Sequence, residues 1–250
     1  MSFHCHFKPV VSKVFEKNVY NQLYHYLNSN KLLLGCQSGF RSLHSTLSAL
    51  LEATDSWSVN IDNGLLNGVV FIDLTKAFDT SDHKIILRKM SYLDVDQAAI
   101  KWFSSYLSCR TQRCSVNGKL STARTLSCRV PQGSILGPLL FVIYRLTISP
   151  TPCGTLYQEC LAMTPILRYV SAKTLTELRL ALTPELNNLS CWLKANRLSL
   201  NVAQSELMII GSRQRLSVHC GDLEIRIDDQ IIKRVDHTKS LGLTIDDHLS

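Results

Sequence analysis

No stretch of this 250-residue chain stays apolar for the roughly 18 residues that a membrane-spanning helix needs. The opening MSFHCHFKPVV lacks the charged-then-apolar layout of a signal peptide. Glycine and proline are sparse, at 11 and 7 residues, and there is no repeat or low-complexity tract, which excludes a linker-like or disordered chain. Cysteine is not scarce, with nine residues, but no CxxC pair or histidine set completes a zinc pattern. An odd number of unpatterned cysteines reads as reduced thiols. These absences predict a soluble intracellular protein, nuclear or cytoplasmic, with no membrane partner.

What the chain does contain is enough apolar surface, 45% of residues, for one large domain or two small ones. Its net charge of +7 and pI near 9.0 suit a polyanionic partner and equally an ordinary solvated basic surface. Helical spacing of Val14, Val19, Leu23 and Leu27 predicts an amphipathic helix over 10–28, and Leu47, Leu50 and Leu51 a second, capped by Ser45 or Thr46. VVFIDL, Val69 to Leu74, reads as a buried strand, and SDHKIILRKMSYL as a helix with Asp82 at its positive end. Asn117-Gly118 predicts a hairpin turn. VPQGSILGPLLFVIY reads as a punctuated loop feeding an apolar helix, LTELRLALTPELNNLSCWLKAN as a long amphipathic helix, and SELMIIGS as a strand. A tail of short strands and turns follows. Helices and strands mixed without βα regularity predict an α+β fold.

Asp73 stands directly after four apolar residues of the predicted strand, where a carboxylate is costly unless something requires it. Its neighbours carry a resemblance. FIDLTKAFD, VPQGSILGPLLF, WLKANRLSLN, ELMIIGSR and KSLGLTID occur in the order found in the reverse transcriptase domain of non-LTR retrotransposons, the jockey-like group. FKPVVSKVFEKNVYNQLYHYL and QSGFRSLHST resemble the segments that precede them. The resemblance implies a right-hand polymerase with a fingers-like part over 1–65, a palm-like part over 66–215 and a truncated end of the palm over 216–250. It also implies that the family's thumb is missing and that no endonuclease domain precedes Met1. RNA template and DNA primer are the implied partners, and Mg²⁺ the implied cofactor.

In that family three palm acids hold two divalent cations, which stabilise the attacking hydroxyl and the leaving pyrophosphate. Asp73 matches the first acid, with the carbonyl of Leu74 as a further metal ligand. Phe78 resembles the side chain that lies against the sugar of the incoming nucleotide. Gln132 and Gly133 match the loop that packs on the template and nascent pair. Lys8 stands where relatives carry an arginine that touches the triphosphate, and Arg41 is a second basic candidate. Asp79 reads as a structural loop acid, and His44 as a surface residue.

The departures from the family pattern are equally specific. From Arg145 to Val170 the chain reads RLTISPTPCGTLYQECLAMTPILRYV, which contains no aspartate. The family has there an Ile-Asn-Asp-Leu-Pro-like stretch and a Tyr/Phe-Ala-Asp-Asp hairpin that supplies the other metal ligands. Glu159 in YQEC offers one acid but lies too far upstream, while the better positional match, Ala162-Met163-Thr164, has none. Met163 is encoded by ATG and Thr164 by ACN, so reading one base earlier gives NAT-GAC, which forces one aspartate and permits a second. The same shift across Arg145 to Pro150 permits Ile-Asn-Asp-Leu-Pro. A frameshifted window over about 145–167 is therefore expected, with divergence or an inserted exon as alternatives. Ala203-Gln204-Ser205 also replaces a family lysine proposed to protonate pyrophosphate. The expectation is an enzyme fold without polymerase activity; the alternatives are a nucleic-acid-binding remnant, an active polymerase completed by Glu159, and a translated relic with no retained role.

Overall fold

A strand buried on both faces needs an apolar layer above and below it, and half of this chain is built to supply those layers. The computed structural model describes residues 2–3, 10–33, 46–75, 77–108, 110–116, 119–130, 133–146, 166–218, 223–240 and 243–249. In chain order the elements run β1 (Ser2–Phe3), α1 (Val10–Ser29), α2 (Thr46–Asp62), β2 (Leu66–Ile72), α3 (Ala77–Thr80), α4 (His83–Tyr92) and α5 (Gln97–Leu107). Four short strands follow, β3 (Thr111–Gln112), β4 (Cys114–Val116), β5 (Lys119–Leu120) and β6 (Arg124–Thr125), then α6 (Gly137–Arg145), β7 (Ile166–Ala172) and α7 (Leu175–Ala195). A 3-10 turn at Val202–Gln204 leads to β8 (Glu206–Ile210) and α8 (Arg213–Val218). The last strands are β9 (Arg226–Ile227), β10 (Gln230–Ile231), β11 (Lys233–Arg234), β12 (His237–Ser240) and β13 (Leu243–Asp246). The mixture is α+β, as expected.

These elements form two compact units that interleave along the chain, one from Met1–Leu34 with Lys76–Thr151, the other from Gly35–Thr75 with Pro152–Ser250. The second holds a four-stranded sheet in the order β11-β8-β2-β7, with β2 antiparallel to both of its neighbours. Every residue of β2 is buried. Val69 and Phe71 pack with Leu50, Ala53 and Trp57 of α2 and with Met208 and Ile210 of β8. On the opposite face α7 comes so close that a Cβ at Gly68 would meet Leu182 Cδ1 at 2.9 Å. A larger residue there would have to displace the Leu182 side chain of the helix above it. Asn67, the buried polar residue of the strand, donates to the carbonyl of Trp57 and accepts from Asn60 at 2.7 Å, so its amide is satisfied. The strand begins and ends earlier than its predicted span of 69–74: Asp73 lies just past its end and Leu74 forms an isolated bridge with Leu200.

In the first unit, α4 opens as predicted, with Asp82 at its N-cap accepting from the backbone of Lys84 and Ile85. β4 and β5 pair with Val116 opposite Lys119, the spacing that a two-residue turn at 117–118 demands; the turn residues lie outside the described residues. Lys89 of α4 is buried and donates to the carbonyls of Tyr144 and, at 2.9 Å, Leu146, where α6 ends. Burial pushes its ammonium pKa down to about 8. Cys114, Cys128 and Cys191 are free thiols among the described residues, and none of the described helices is long and apolar enough to cross a membrane.

Four helices end in the same paired hydrogen bonds, from the second residue past the cap back five positions and from the first back three. The residue held in the left-handed region is Gly64 after α2, but Lys31 after α1, Asp94 after α4 and Arg197 after α7. The few glycines of the sequence are thus absent from three sites that would favour one. Lys31→Gly is expected to stabilise the chain by roughly 0.5–1 kcal/mol, because a side chain at φ 53° costs more than the extra chain entropy of glycine. An unchanged or lower urea midpoint would contradict this.

Candidate functional site

Asp73 is presented at the end of β2, where β7 and β8 both begin: Ile72 pairs with Ile166 and Phe71 with Glu206. The carboxylate is half-buried, and the segment from Asn201 to Ser205 clasps it. Asn201 Nδ2 donates to Asp73 Oδ2 at 2.9 Å, and the other hydrogen of that amide serves Gln204. Asn201 N–H donates to the Asp73 carbonyl at 2.9 Å, while Asp73 N–H donates to Ser205 Oγ at 3.1 Å. Ser205 Oγ in turn donates to the Asn201 carbonyl at 2.8 Å. The bridge at Leu74 is carried by the bonds on either side of it, from Asn201 N–H to Asp73 and from Thr75 N–H to Ser199. Asn201 was not singled out by sequence, and Ser205 was noted only within the stretch that replaces a family lysine. The signal was the position of LSLN ahead of the strand SELMII, a polar loop that has to return to the sheet edge.

Among the described residues, the groups around Asp73 do not make up a two-cation centre. Hard divalent cations require converging oxygens, whereas the nearest side-chain partner of this carboxylate is an amide N–H₂ that donates to it. Among the described residues no three His, Cys, Asp or Glu side chains are grouped so as to hold a metal. Glu159 and Ala162-Met163-Thr164 lie outside the described residues, and of these only Glu159 is an acid.

The other unit carries the remaining described candidates. Phe78 sits in α3 with its ring on Phe141 of α6, centroids 4.1 Å apart and planes at 23°, and its carbonyl accepts from Val130 N–H. Asp79, which falls in α3 and not in a loop, is paired with Arg129 Nε at 2.8 Å. That pairing, the bond from Arg129 N–H to the Ser81 carbonyl and the 2.9 Å contact of His83 Nε2 with the Arg129 carbonyl hold Arg129 at φ 88°. Gly133 is exposed at φ 75° with open space where a Cβ would sit. Its glycine is demanded by the left-handed backbone and not by crowding. Lys8, Arg41, His44 and Gln132 lie outside the described residues.

Immediately after Gly133 the chain is tied down by a group that sequence patterning hid. Glu16, on the inward face of α1, is 3% exposed; Oε1 accepts from Tyr106 Oη at 3.0 Å and Oε2 from Ile135 N–H at 2.9 Å. Ser134 Oγ accepts from Gly137 N–H at 2.9 Å, which fixes the entry to α6. The Tyr106 phenol is pushed up from its ordinary pKa, chiefly by burial, and stays protonated as the donor.

The order of these segments has its counterpart among known proteins. Residues 5–157 match the family described as "Reverse transcriptase (RNA-dependent DNA polymerase)", which is more than half of the chain. The chain belongs to the reverse transcriptase family. This reverse transcriptase domain is related to the RNA-directed DNA polymerases of non-LTR retrotransposons. It is 27% identical over 248 residues, 96% of its length, to the probable RNA-directed DNA polymerase from transposon BS of Drosophila melanogaster. It is 30% identical over 136 residues, 54% of its length, to the RNA-directed DNA polymerase from mobile element jockey of the same species. It is 25% identical over 213 residues, 82% of its length, to the retrovirus-related Pol polyprotein from type-1 retrotransposable element R2 of Popillia japonica. The domain spans 27%, 15% and 29% of those proteins respectively.

Glu16→Ala would remove an acceptor from the half-buried Tyr106 phenol and from the Ile135 N–H. The expected loss of stability is about 2–4 kcal/mol in urea unfolding, with Glu16→Gln losing less because its carbonyl oxygen still accepts. Equal losses for the two variants would show that the carboxylate charge, and not hydrogen bonding, anchors this turn.

Proposed function

We propose that this chain is a fingers-and-palm piece of a non-LTR reverse transcriptase that retains nucleic-acid binding and has lost polymerisation. The observation that carries the proposal is Asp73: the acid that matches the family's first metal ligand is engaged by the Asn201 amide, and the better positional match to the family's hairpin reads Ala162-Met163-Thr164. Each lost ligand of a two-metal site removes charge stabilisation and positioning together, commonly several kcal/mol of barrier. In this reading the unit that carries Asp73 serves as the palm and the unit that carries Gly133 as the fingers, interleaved along the chain where contiguous parts were expected. Phe78, Gln132, Gly133, Lys8 and Arg41 are the candidates for contact with nucleotide and template. Template and primer are the partners carried over from the family, and the +7 net charge is compatible with them.

Primer extension on an RNA template with Mg²⁺ or Mn²⁺ should give no incorporation above background. Template-dependent synthesis abolished by Asp73→Ala would overturn the inactive reading and bring Glu159 forward as the completing acid. The loss is assigned to a shifted frame over about residues 145–167. The coding DNA is then expected to carry G as the base before the ATG of Met163, and any other base sinks the frameshift in this form.

A further inference from the structure

Helix α1 has a single acid, Glu16, and that acid is buried and bonded inside its unit. Its exposed charges are therefore of one sign. Lys13, Lys17, Tyr20 and Tyr24 follow one another at i, i+4, i+7 and i+11, which places them on one stripe of the helix. Lys31 continues the basic character in the turn just past the end. The three lysines are exposed and the two tyrosines half-buried. Lys17 Nζ stands 4.8 Å from the centre of the Tyr20 ring, and the Tyr20 and Tyr24 rings are parallel to within 5° at 5.9 Å. Tyr26, on the far flank of the helix, bonds the carbonyls of Leu93 and Asp94, so that acid-bearing turn lies away from the stripe. From Lys13 to Lys31 the positive charges extend over about 27 Å at the rise of a helix.

We propose that this stripe of α1 docks a single strand of nucleic acid, its phosphates on Lys13, Lys17 and Lys31 and its unpaired bases against Tyr20 and Tyr24. Positive charge along the strand's path combined with aromatic side chains for its bases is the arrangement that binds single strands without reading sequence, and a duplex would hide the base faces that the tyrosines can meet. The proposal rests on the nucleic-acid-binding reading above and adds the surface that performs it. Val10, Val11, Val14 and Phe15 are also exposed, but only along the first turns, whereas lysines and tyrosines run the length of the helix. An anionic lipid surface is therefore the competing occupant.

Fluorescence anisotropy of a labelled oligo-uridine against the full chain, titrated at several salt concentrations, decides the matter. Lys13→Gln/Lys17→Gln/Lys31→Gly is expected to make the slope of log affinity against log salt shallower by about 2, at roughly 0.7 per phosphate contact on a single strand. Tyr20→Leu/Tyr24→Leu should weaken binding about tenfold or more without changing the slope. Lys119→Gln/Lys173→Gln, which removes exposed charges elsewhere, should leave both affinity and slope nearly unchanged. Lys31→Gly alone should bind more weakly while unfolding at a higher urea concentration, which separates lost binding from misfolding. If the wild type binds and the triple variant keeps its slope, this surface is wrong and the nucleic-acid-binding reading stands. If the wild type binds no nucleic acid, both fall. Stripe-dependent binding to phosphatidylserine vesicles without binding to the oligonucleotide overturns the proposal in favour of lipid.

Discussion

The burial of β2 on both faces is the constraint on which the unit around Asp73 depends. Seven consecutive buried residues remove a large apolar area from water, but only if a helix covers each side of the sheet. α2 supplies Leu50, Ala53 and Trp57 on one face, and on the other Leu182 and Leu178 of α7 pack over Gly68. The strand can then run straight to the point where the apolar layers end. Asp73 sits at that boundary, half-buried, where a carboxylate is tolerable only with a partner; the 201–205 loop provides one in the Asn201 amide, while the Ser205 hydroxyl and the Asn201 N–H satisfy the main chain of Asp73.

The other unit is held by polar groups buried among apolar ones. Glu16 joins α1 to α5 and to the turn that starts α6, and Lys89 joins α4 to the end of α6. Such ties add directional specificity where apolar packing would tolerate several arrangements, and they are costly to leave half-made. They also account for a helix α1 whose outer surface is positive: its one acid is turned inward to perform a structural task.

Packing and metal-site chemistry place separate demands on a domain of this family. Clustered carboxylates that bind cations repel one another in the absence of metal, so their loss relieves strain and costs the fold little. Residues that hold β2, α2 and α7 together have no such freedom. Acids at a strand end are therefore less tied to the fold than the buried strand that carries them.

Much of this was legible in the chain itself. Helical periodicity located α1, α2, α4, α6 and α7; the Asn-Gly pair marked the β4–β5 hairpin; and the ordered motifs from FIDLTKAFD to KSLGLTID carried the family, because local spacing and residue chemistry are written in sequence. The strand limits were displaced by two or three residues, since a run of apolar residues does not say where its partners stop. The short helix at Arg213–Val218 had no periodic signal to announce it. Asp73 and the lack of aspartate from 145 to 170 were visible from the letters alone. That Asn201 and Ser205, some 130 residues away, would clasp Asp73, that Glu16 would turn inward while Lys13 and Lys17 faced solvent, and that Lys31 would occupy a glycine's backbone region were decided only by the folded chain. Each depends on which distant surfaces meet, and burial and hydrogen-bond satisfaction are settled by those contacts and not by neighbours in sequence.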